Sequence, residues 1–275
     1  MALVGRRRLL VRLLLLAVAA VASGVPAAQA YYGGLAVGFY NETCPQAEDL
    51  VLAEMRDIVG KDKTLGPALL RFMLHDCFVR SNGPWYQVET GRRDGKVSTN
   101  IDANNDLPGP NTTIVDLKIY FSFKGLGWKD IVVLSGSHTI GRAQCSTFAG
   151  DRLYNYTGRG VQDPTLNKTY AADLRMDCEP GLANDTTMVE MDPASPYTFD
   201  LSYYRDVYSK KGLFTSDQAL LDDKFTREYV ARMAAAESPD EYFRDYAEAM
   251  TNMGRIEVLT GDNGEIRDIC GAYVD

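Results

Sequence analysis

The sequence predicts a mainly helical domain. Three observations predict it: apolar residues recur at helical spacing near both ends of the chain, cap-like sequences precede those stretches, and only one short stretch reads as strand. Thr43-Cys-Pro-Gln reads as a capping box with proline near the first turn, and Ala47, Val51, Met55 and Ile58 follow on one face. A second helix is expected after Thr64-Leu-Gly-Pro, running through Ala68 to Phe78. From Arg80 to Pro110 the chain is rich in Gly, Pro, Asn and Asp and reads as irregular. Ile114 to Phe121 and Lys129 to Leu134 are short helices by their apolar content. Arg152 to Pro196 carries several prolines and little periodicity, so it reads as a long loop system clipped by cysteines. Phe199 to Tyr208 and Lys224 to Ala236 return to helix. Ser238-Pro-Asp-Glu reads as a second capping box; Tyr242, Phe243, Tyr246, Met250 and Met253 follow as an apolar face that ends at Gly254. Ile256 to Leu259 and Glu265 to Arg267 flank Gly261-Asp-Asn-Gly, a short β-hairpin near the C-terminus.

Residues 1–30 read as a secretory signal peptide rather than as part of the fold. Arg6, Arg7 and Arg8 form a basic n-region, Leu13 to Ala22 an apolar core, and Ala28-Gln29-Ala30 a small-x-small cleavage site. The apolar run is too short to span a bilayer comfortably. Removal of this segment takes away Arg6, Arg7, Arg8 and Arg12 and no acid, so the formal charge of -8 becomes -12. An acidic surface argues against nucleic acid and against anionic membrane as partners. The remaining length suits one large domain, or two lobes around one site, over residues 31–275. Five N-glycosylation sequons, at Asn41, Asn111, Asn155, Asn167 and Asn184, fit a secreted glycoprotein. Cys44, Cys77, Cys145, Cys178 and Cys270 would lie in an oxidising compartment, where pairing is expected, and an odd number leaves at least one without an internal partner.

The chemistry concentrates on the only two histidines. His75 lies in Arg-Phe-Met-Leu-His-Asp-Cys-Phe, four residues after Arg71. On a helix the two share a face, and a neutral imidazole beside a fixed cation can take a proton while the cation stabilises a developing anion. An isolated R-x-x-x-H is equally a satisfied histidine with an arginine nearby. His138 lies in Ser-Gly-Ser-His-Thr-Ile-Gly-Arg, just past the apolar run Ile131 to Leu134. Small residues there let a flat group approach the backbone, which suits imidazole ligation of a metal as well as a core histidine. Zinc would need three or four ligands, and no H-E-x-x-H or histidine cluster is present. Haem brings four ligands of its own and asks for one histidine. One imidazole below the iron and one base above it, beside an arginine, is the minimum for splitting a peroxide. A serine hydrolase using Ser135 or Ser137 lacks the G-x-S-x-G elbow.

The strings resemble those of secretory plant (class III) haem peroxidases. The resemblance runs through Phe-Tyr-Asn-Glu-Thr-Cys-Pro-Gln-Ala-Glu from Phe39, Leu-Leu-Arg-Phe-Met-Leu-His-Asp-Cys-Phe-Val from Leu69 and Thr-Gly-Arg-Arg-Asp-Gly from Thr90. It continues with Leu-Ser-Gly-Ser-His-Thr-Ile-Gly-Arg-Ala-Gln-Cys from Leu134, Phe-Asp-Leu-Ser-Tyr-Tyr from Phe199, Lys-Gly-Leu-Phe-Thr-Ser-Asp-Gln from Lys211 and Ala-Met-Thr-Asn-Met-Gly-Arg from Ala249. Nearly all of the chain after the signal segment is covered. The resemblance implies a mainly α, two-lobed haem peroxidase fold. It implies oxidation of phenolic donors with hydrogen peroxide, and so hydrogen peroxide removal in response to oxidative stress. Haem b and calcium are the implied cofactors, and the protein would be a monomer in the cell wall or vacuole. Arg71 and His75 match the distal arginine and the distal acid/base. His138 matches the haem-iron ligand, and Asp217 the carboxylate that accepts its other N–H. Thr139, Asp192, Ser195, Thr198 and Asp200 match a calcium site beside that ligand. Pro108 matches the position that meets the reducing substrate, and Cys145 with Cys178 matches a family disulfide.

The chain departs from the family pattern most at one junction. Members follow His-Asp-Cys-Phe-Val with a further stretch before Gly-Gly-Pro-x-Trp, whereas here Val79-Arg80 runs almost straight into Ser81-Asn-Gly-Pro-Trp. A block of roughly sixty residues, the bulk of a small subdomain, is expected to be missing at about Arg80-Ser81. The distal lobe would then be truncated, with Asp76 and the Val79 carbonyl as the remnant of a distal calcium site, and with Cys44, Cys77 and Cys270 left without their family partners. Met73 and Leu74 also stand where the family has other residues beside the base. The alternative is a non-catalytic secreted glycoprotein, or the misfolded product of exon skipping.

Overall fold

The computed structural model describes residues 34–65, 67, 83–97, 99–180 and 185–267. The signal segment and the helix expected through Ala68 to Phe78 lie outside them, as do Arg71, His75, Asp76, Cys77, Val79 and Cys270. The fold is mainly helical. In chain order its elements are β1 (Ala36–Val37), α1 (Ala47–Lys61), β2 (Glu89–Thr90), α2 (Asn100–Asp106), α3 (Ile114–Phe123) and α4 (Trp128–Ser135). A 3-10 turn (Gly136–Thr139) follows, then β3 (Arg142–Gln144), α5 (Cys145–Ala149), α6 (Lys168–Asp177) and β4 (Met188–Glu190). The chain ends through α7 (Ser202–Tyr208), α8 (Thr215–Gln218), α9 (Lys224–Ala235) and α10 (Asp240–Met253).

Local chemistry sets the helix starts. Thr113 Oγ1 accepts the Asp116 N–H and caps α3, and Asp223 Oδ1 accepts the N–H groups of Phe225 and Thr226 at the head of α9. Asn167, a sequon asparagine, caps α6 by accepting from the Thr169 and Tyr170 amides at 2.9 and 3.2 Å. That helix falls inside the stretch expected to be loop. Its apolar face is only Tyr170, Ala171 and Leu174, set among charged residues, and this is too short to register as periodicity. Helix α2 likewise replaces part of the stretch read as irregular. The two capping boxes do not form. Successive turns from Gly38 delay α1 to Ala47, and Pro239, which has no N–H, takes the cap position of α10, so Ser238 Oγ reaches only the Asp240 amide at 3.3 Å.

Two apolar clusters form. In the first, Ile131, Val132 and Val133 of α4 pack with Tyr204 and Val207 of α7, Tyr229, Val230 and Met233 of α9, and Tyr242, Tyr246 and Met250 of α10. The buried stripe of α10 recurs at four- and seven-residue intervals, as an amphipathic helix requires. Tyrosines supply much of this core, their rings meeting edge to face or stacked at centroid distances of 4.8 to 5.8 Å. In the second cluster Phe148, Leu153, Leu166, Tyr170, Leu174, Val189 and Leu213 surround the Cys145–Cys178 disulfide, whose Cα atoms lie 5.4 Å apart. Strands β3 and β4 pair antiparallel across this cluster, Ala143 opposite Val189.

Short β pairing ties residues 36–37 and 259–265 to the segment 89–94. Strands β1 and β2 are antiparallel. The C-terminal β element turns at residues 261–264, and residues 93–94 lie between its arms, Arg93 bridged to Leu259 and Asp94 to Glu265. Arg255 grips the Glu89 carboxylate at 2.7 and 2.8 Å, and Arg92 donates to the Gly254 carbonyl that ends α10.

One buried charge joins the second cluster to the loop that leads to α8. Arg152 is fully buried and pairs with buried Asp163. It also donates to Thr165 Oγ1, to the Gly212 carbonyl at 2.6 Å and to the Leu213 carbonyl at 3.2 Å. Asp163 meets its remaining demand with the Thr165 amide and hydroxyl, both at 2.7 Å. Arg152→Ala strands the Asp163 carboxylate and two carbonyls, and is expected to cost about 3–5 kcal/mol, read as a lowered urea midpoint.

Candidate active site

His138 is carried by the 3-10 turn that closes α4. The turn can press onto the tyrosine core because residue 136 is glycine: a Cβ there would lie 2.5 Å from the hydroxyls of both Tyr204 and Tyr242. Ser137 is held by a 2.7 Å hydrogen bond to Tyr246, and Ser135 donates to the Ile131 carbonyl. Neither of these hydrogen bonds is to a base.

The His138 Nδ1–H donates to Asp217 Oδ1 at 2.7 Å. Asp217 is 2% exposed, while the His138 side chain is 35% exposed. A buried carboxylate must be fully satisfied, and here Tyr203 donates its hydroxyl to Oδ1 at 3.1 Å and the Phe214 amide donates to Oδ2 at 2.9 Å. Burial, and then the Asp217 charge, pushes the Tyr203 phenol well above its ordinary value, so it remains a donor. The rings of Phe214 and Tyr203 stand edge-on to the imidazole at 5.4 and 6.1 Å and fix its plane. With Nδ1 occupied, Nε2 is the atom left for a ligand, and it has no hydrogen bond among the described residues. The short helix α8 that carries Asp217 is positioned from three sides. Arg152 holds the Gly212 and Leu213 carbonyls, Gln218 Oε1 accepts from the Gly212 amide, and the Ser216 amide donates to the Pro110 carbonyl at 2.9 Å. That last bond docks the loop carrying half-buried Pro108 against α8.

An oxygen-rich cluster lies next to the histidine in sequence. Thr139 Oγ1 is 3.3 Å from both Asp192 Oδ2 and Asp200 Oδ1, and Ser195 Oγ is 3.3 Å from Asp192 Oδ2. Ser202 Oγ sits among them, bonded to both carboxylates and 2.8 Å from Ser195. Thr198 joins through its backbone, its amide donating to the Ser195 carbonyl. Asp206 adds negative charge close by; burial, and then the Asp192 charge, raises its pKa to about 6. Two carboxylates among hydroxyls are hard oxygen donors of the kind calcium takes. Sequence reading missed Ser202 and Tyr203, although both lie inside Phe-Asp-Leu-Ser-Tyr-Tyr; hydroxyls have no spacing signature of their own. The distal residues Arg71, His75, Asp76 and Val79 lie outside the described residues.

The peroxidase family model matches residues 79–236. Peroxidase 27 of Arabidopsis thaliana is 40% identical over 305 aligned positions, which cover 88% of this chain and 93% of that protein. Peroxidase 56 of the same plant is 38% identical, covering 86% and 90%, and Peroxidase 1 of Oryza sativa subsp. japonica is 37% identical, covering 96% and 98%. The chain belongs to the peroxidase family. Membership implies a haem group, hydrogen peroxide and a reducing donor. The first alignment is longer than the part of the chain within it: 88% of 275 residues is about 242, against 305 positions.

Asp217→Ala would leave the Tyr203 hydroxyl and the Phe214 amide without their acceptor. A loss of about 1–3 kcal/mol is expected from the buried hydroxyl alone, measured by urea denaturation of the haem-free chain.

Proposed function

We propose that this chain is a secreted haem peroxidase that reduces hydrogen peroxide at the expense of small phenolic donors. The observation that carries the reading is His138, anchored through Nδ1 to a buried carboxylate with Nε2 left for a ligand. These residues fit haem: one oriented imidazole is the protein ligand the group requires. When bound, haem b supplies the electrons that break the peroxide bond and later recovers them from the donor. His138 would hold the iron, and Asp217 would hold the His138 Nδ1 proton and make the imidazole a stronger ligand. His75 would take the proton from one peroxide oxygen and return it to the leaving oxygen, while Arg71 stabilises the negative charge that develops between them. Pro108 would meet the phenolic donor.

Calcium at Thr139, Asp192, Ser195, Thr198 and Asp200 would brace the turn that carries His138, since Thr139 is its neighbour. Asp76 and the Val79 carbonyl would be what remains of a distal calcium site. A missing block at about Arg80-Ser81 is supported by the surplus of some sixty alignment positions over chain residues. Residues 1–30 would be removed on secretion to the cell wall or vacuole, and residues 31–275 would act as a monomer. Exposure of Asn41, Asn111 and Asn155 suits glycosylation. No helix of the described residues is long and apolar enough to cross a membrane.

Titration of the purified chain with hemin is expected to give a Soret band that His138→Ala abolishes. His75→Ala should keep the band while guaiacol turnover falls by roughly two to four powers of ten; unchanged turnover would remove His75 from the mechanism. Chelation of calcium should lower the melting temperature and weaken hemin retention. Failure to form a Soret band at any hemin ratio would overturn the haem reading.

A further inference from the structure

We infer that Tyr203 is a positioning residue which sets how strongly Asp217 draws on the Nδ1–H of His138, and through it the electron-donating strength of the iron ligand. The inference rests on the haem reading above and deepens it.

The geometry is that of a shared acceptor. Asp217 Oδ1 receives two donors, the His138 Nδ1–H at 2.7 Å and the Tyr203 hydroxyl at 3.1 Å. Oδ2 receives one, the Phe214 amide at 2.9 Å. The negative charge on the carboxylate is thus divided among three N–H or O–H groups, two of them on one oxygen. Hydrogen bonds to a charged acceptor are the strong ones, and two donors on one carboxylate oxygen compete for its negative charge. Tyr203 is 4% exposed and Asp217 2%, so water is not at hand to replace a missing donor. The neighbouring hydroxyl of Ser137 is held by Tyr246, and that of Ser135, which also lies within hydrogen-bond reach of the Tyr203 hydroxyl, donates to the Ile131 carbonyl. Tyr203 is fixed independently of the histidine: it lies on α7, its ring edge-on to Tyr204 at 5.2 Å, and Tyr204 is itself bonded to the Val132 carbonyl. The phenol therefore acts as a constant drain on the Asp217 charge. It limits how far the His138 proton moves toward the carboxylate, and so how anionic the imidazole becomes. An imidazole with more anionic character favours ferric over ferrous iron.

The test is Tyr203→Phe, which deletes one oxygen and keeps the ring. In the hemin-loaded chain the iron–histidine stretching frequency in resonance Raman is expected to rise. The ferric/ferrous potential is expected to fall by about a tenfold change in the ratio of the two affinities, about 59 mV for a one-electron couple. Asp217→Asn should move both readouts the other way. A Tyr203→Phe protein that binds hemin with both quantities unchanged overturns the inference and leaves the haem reading standing. If the unsubstituted chain takes up no hemin, the haem reading fails by itself. The shared-acceptor claim is then read from the His138 Nδ1 proton resonance in the haem-free chain, which should move downfield in Tyr203→Phe and overturns the claim if it does not. Should Tyr203→Phe fail to fold, 3-fluorotyrosine at position 203 keeps the hydroxyl as a stronger donor. The Raman frequency and the potential should then shift opposite to the direction given for Phe, and a null or same-sign shift overturns the proposal.

Discussion

A carboxylate withdrawn from water must find a donor for every oxygen, and the region around Asp217 is organised by that requirement. A histidine, a tyrosine and a backbone amide meet it, and each comes from a different part of the chain. The 3-10 turn, α7 and the head of α8 are held together at one point, because none of the three donors can leave without exposing a charge to an apolar interior. An imidazole aimed in one direction, with one nitrogen committed, is what a metal-bearing cofactor needs from its protein.

The packing supplies the rest of the rigidity. Helices α4, α7, α9 and α10 pack around a tyrosine-rich core, and the 3-10 turn is pressed into that core at a glycine where no side chain would fit. The second apolar cluster, stapled by Cys145–Cys178, reaches the site through β3, through Met191 and through the segment before α8. Aromatic rings lose few rotamers on burial, so a core built from them fixes its neighbours closely. The hydroxyls of Tyr203, Tyr204 and Tyr246 are each spent on a hydrogen bond that orients something else.

How legible this was depended on how local the signal is. The long helices showed in the sequence because their apolar residues repeat over several turns, as in α1, α9 and α10. Helix α6 did not, because its buried face is three residues and its start is fixed by a single asparagine that reads equally as a glycosylation signal. His138 and Asp217 were found through motifs that carry them 79 residues apart, and the structure brings them to 2.7 Å. Tyr203 and Ser202 were not found, because a hydroxyl that serves as a third donor leaves no spacing behind. The expected caps at Thr43 and Ser238 failed for the opposite reason: the sequence pattern was present, but turns and a proline used the backbone first.

The buried Arg152 carries a further consequence for how this half of the molecule assembles. A guanidinium leaves water only at high cost, and that cost is offset only when Asp163, Thr165 and the two carbonyls at 212 and 213 are all in place. A partly formed version, with the cation inside and one acceptor absent, is worse than leaving the whole segment hydrated. Residues 150–165 and the approach to α8 are therefore coupled in stability, and the carboxylate that steers the imidazole sits just beyond the carbonyls that Arg152 holds.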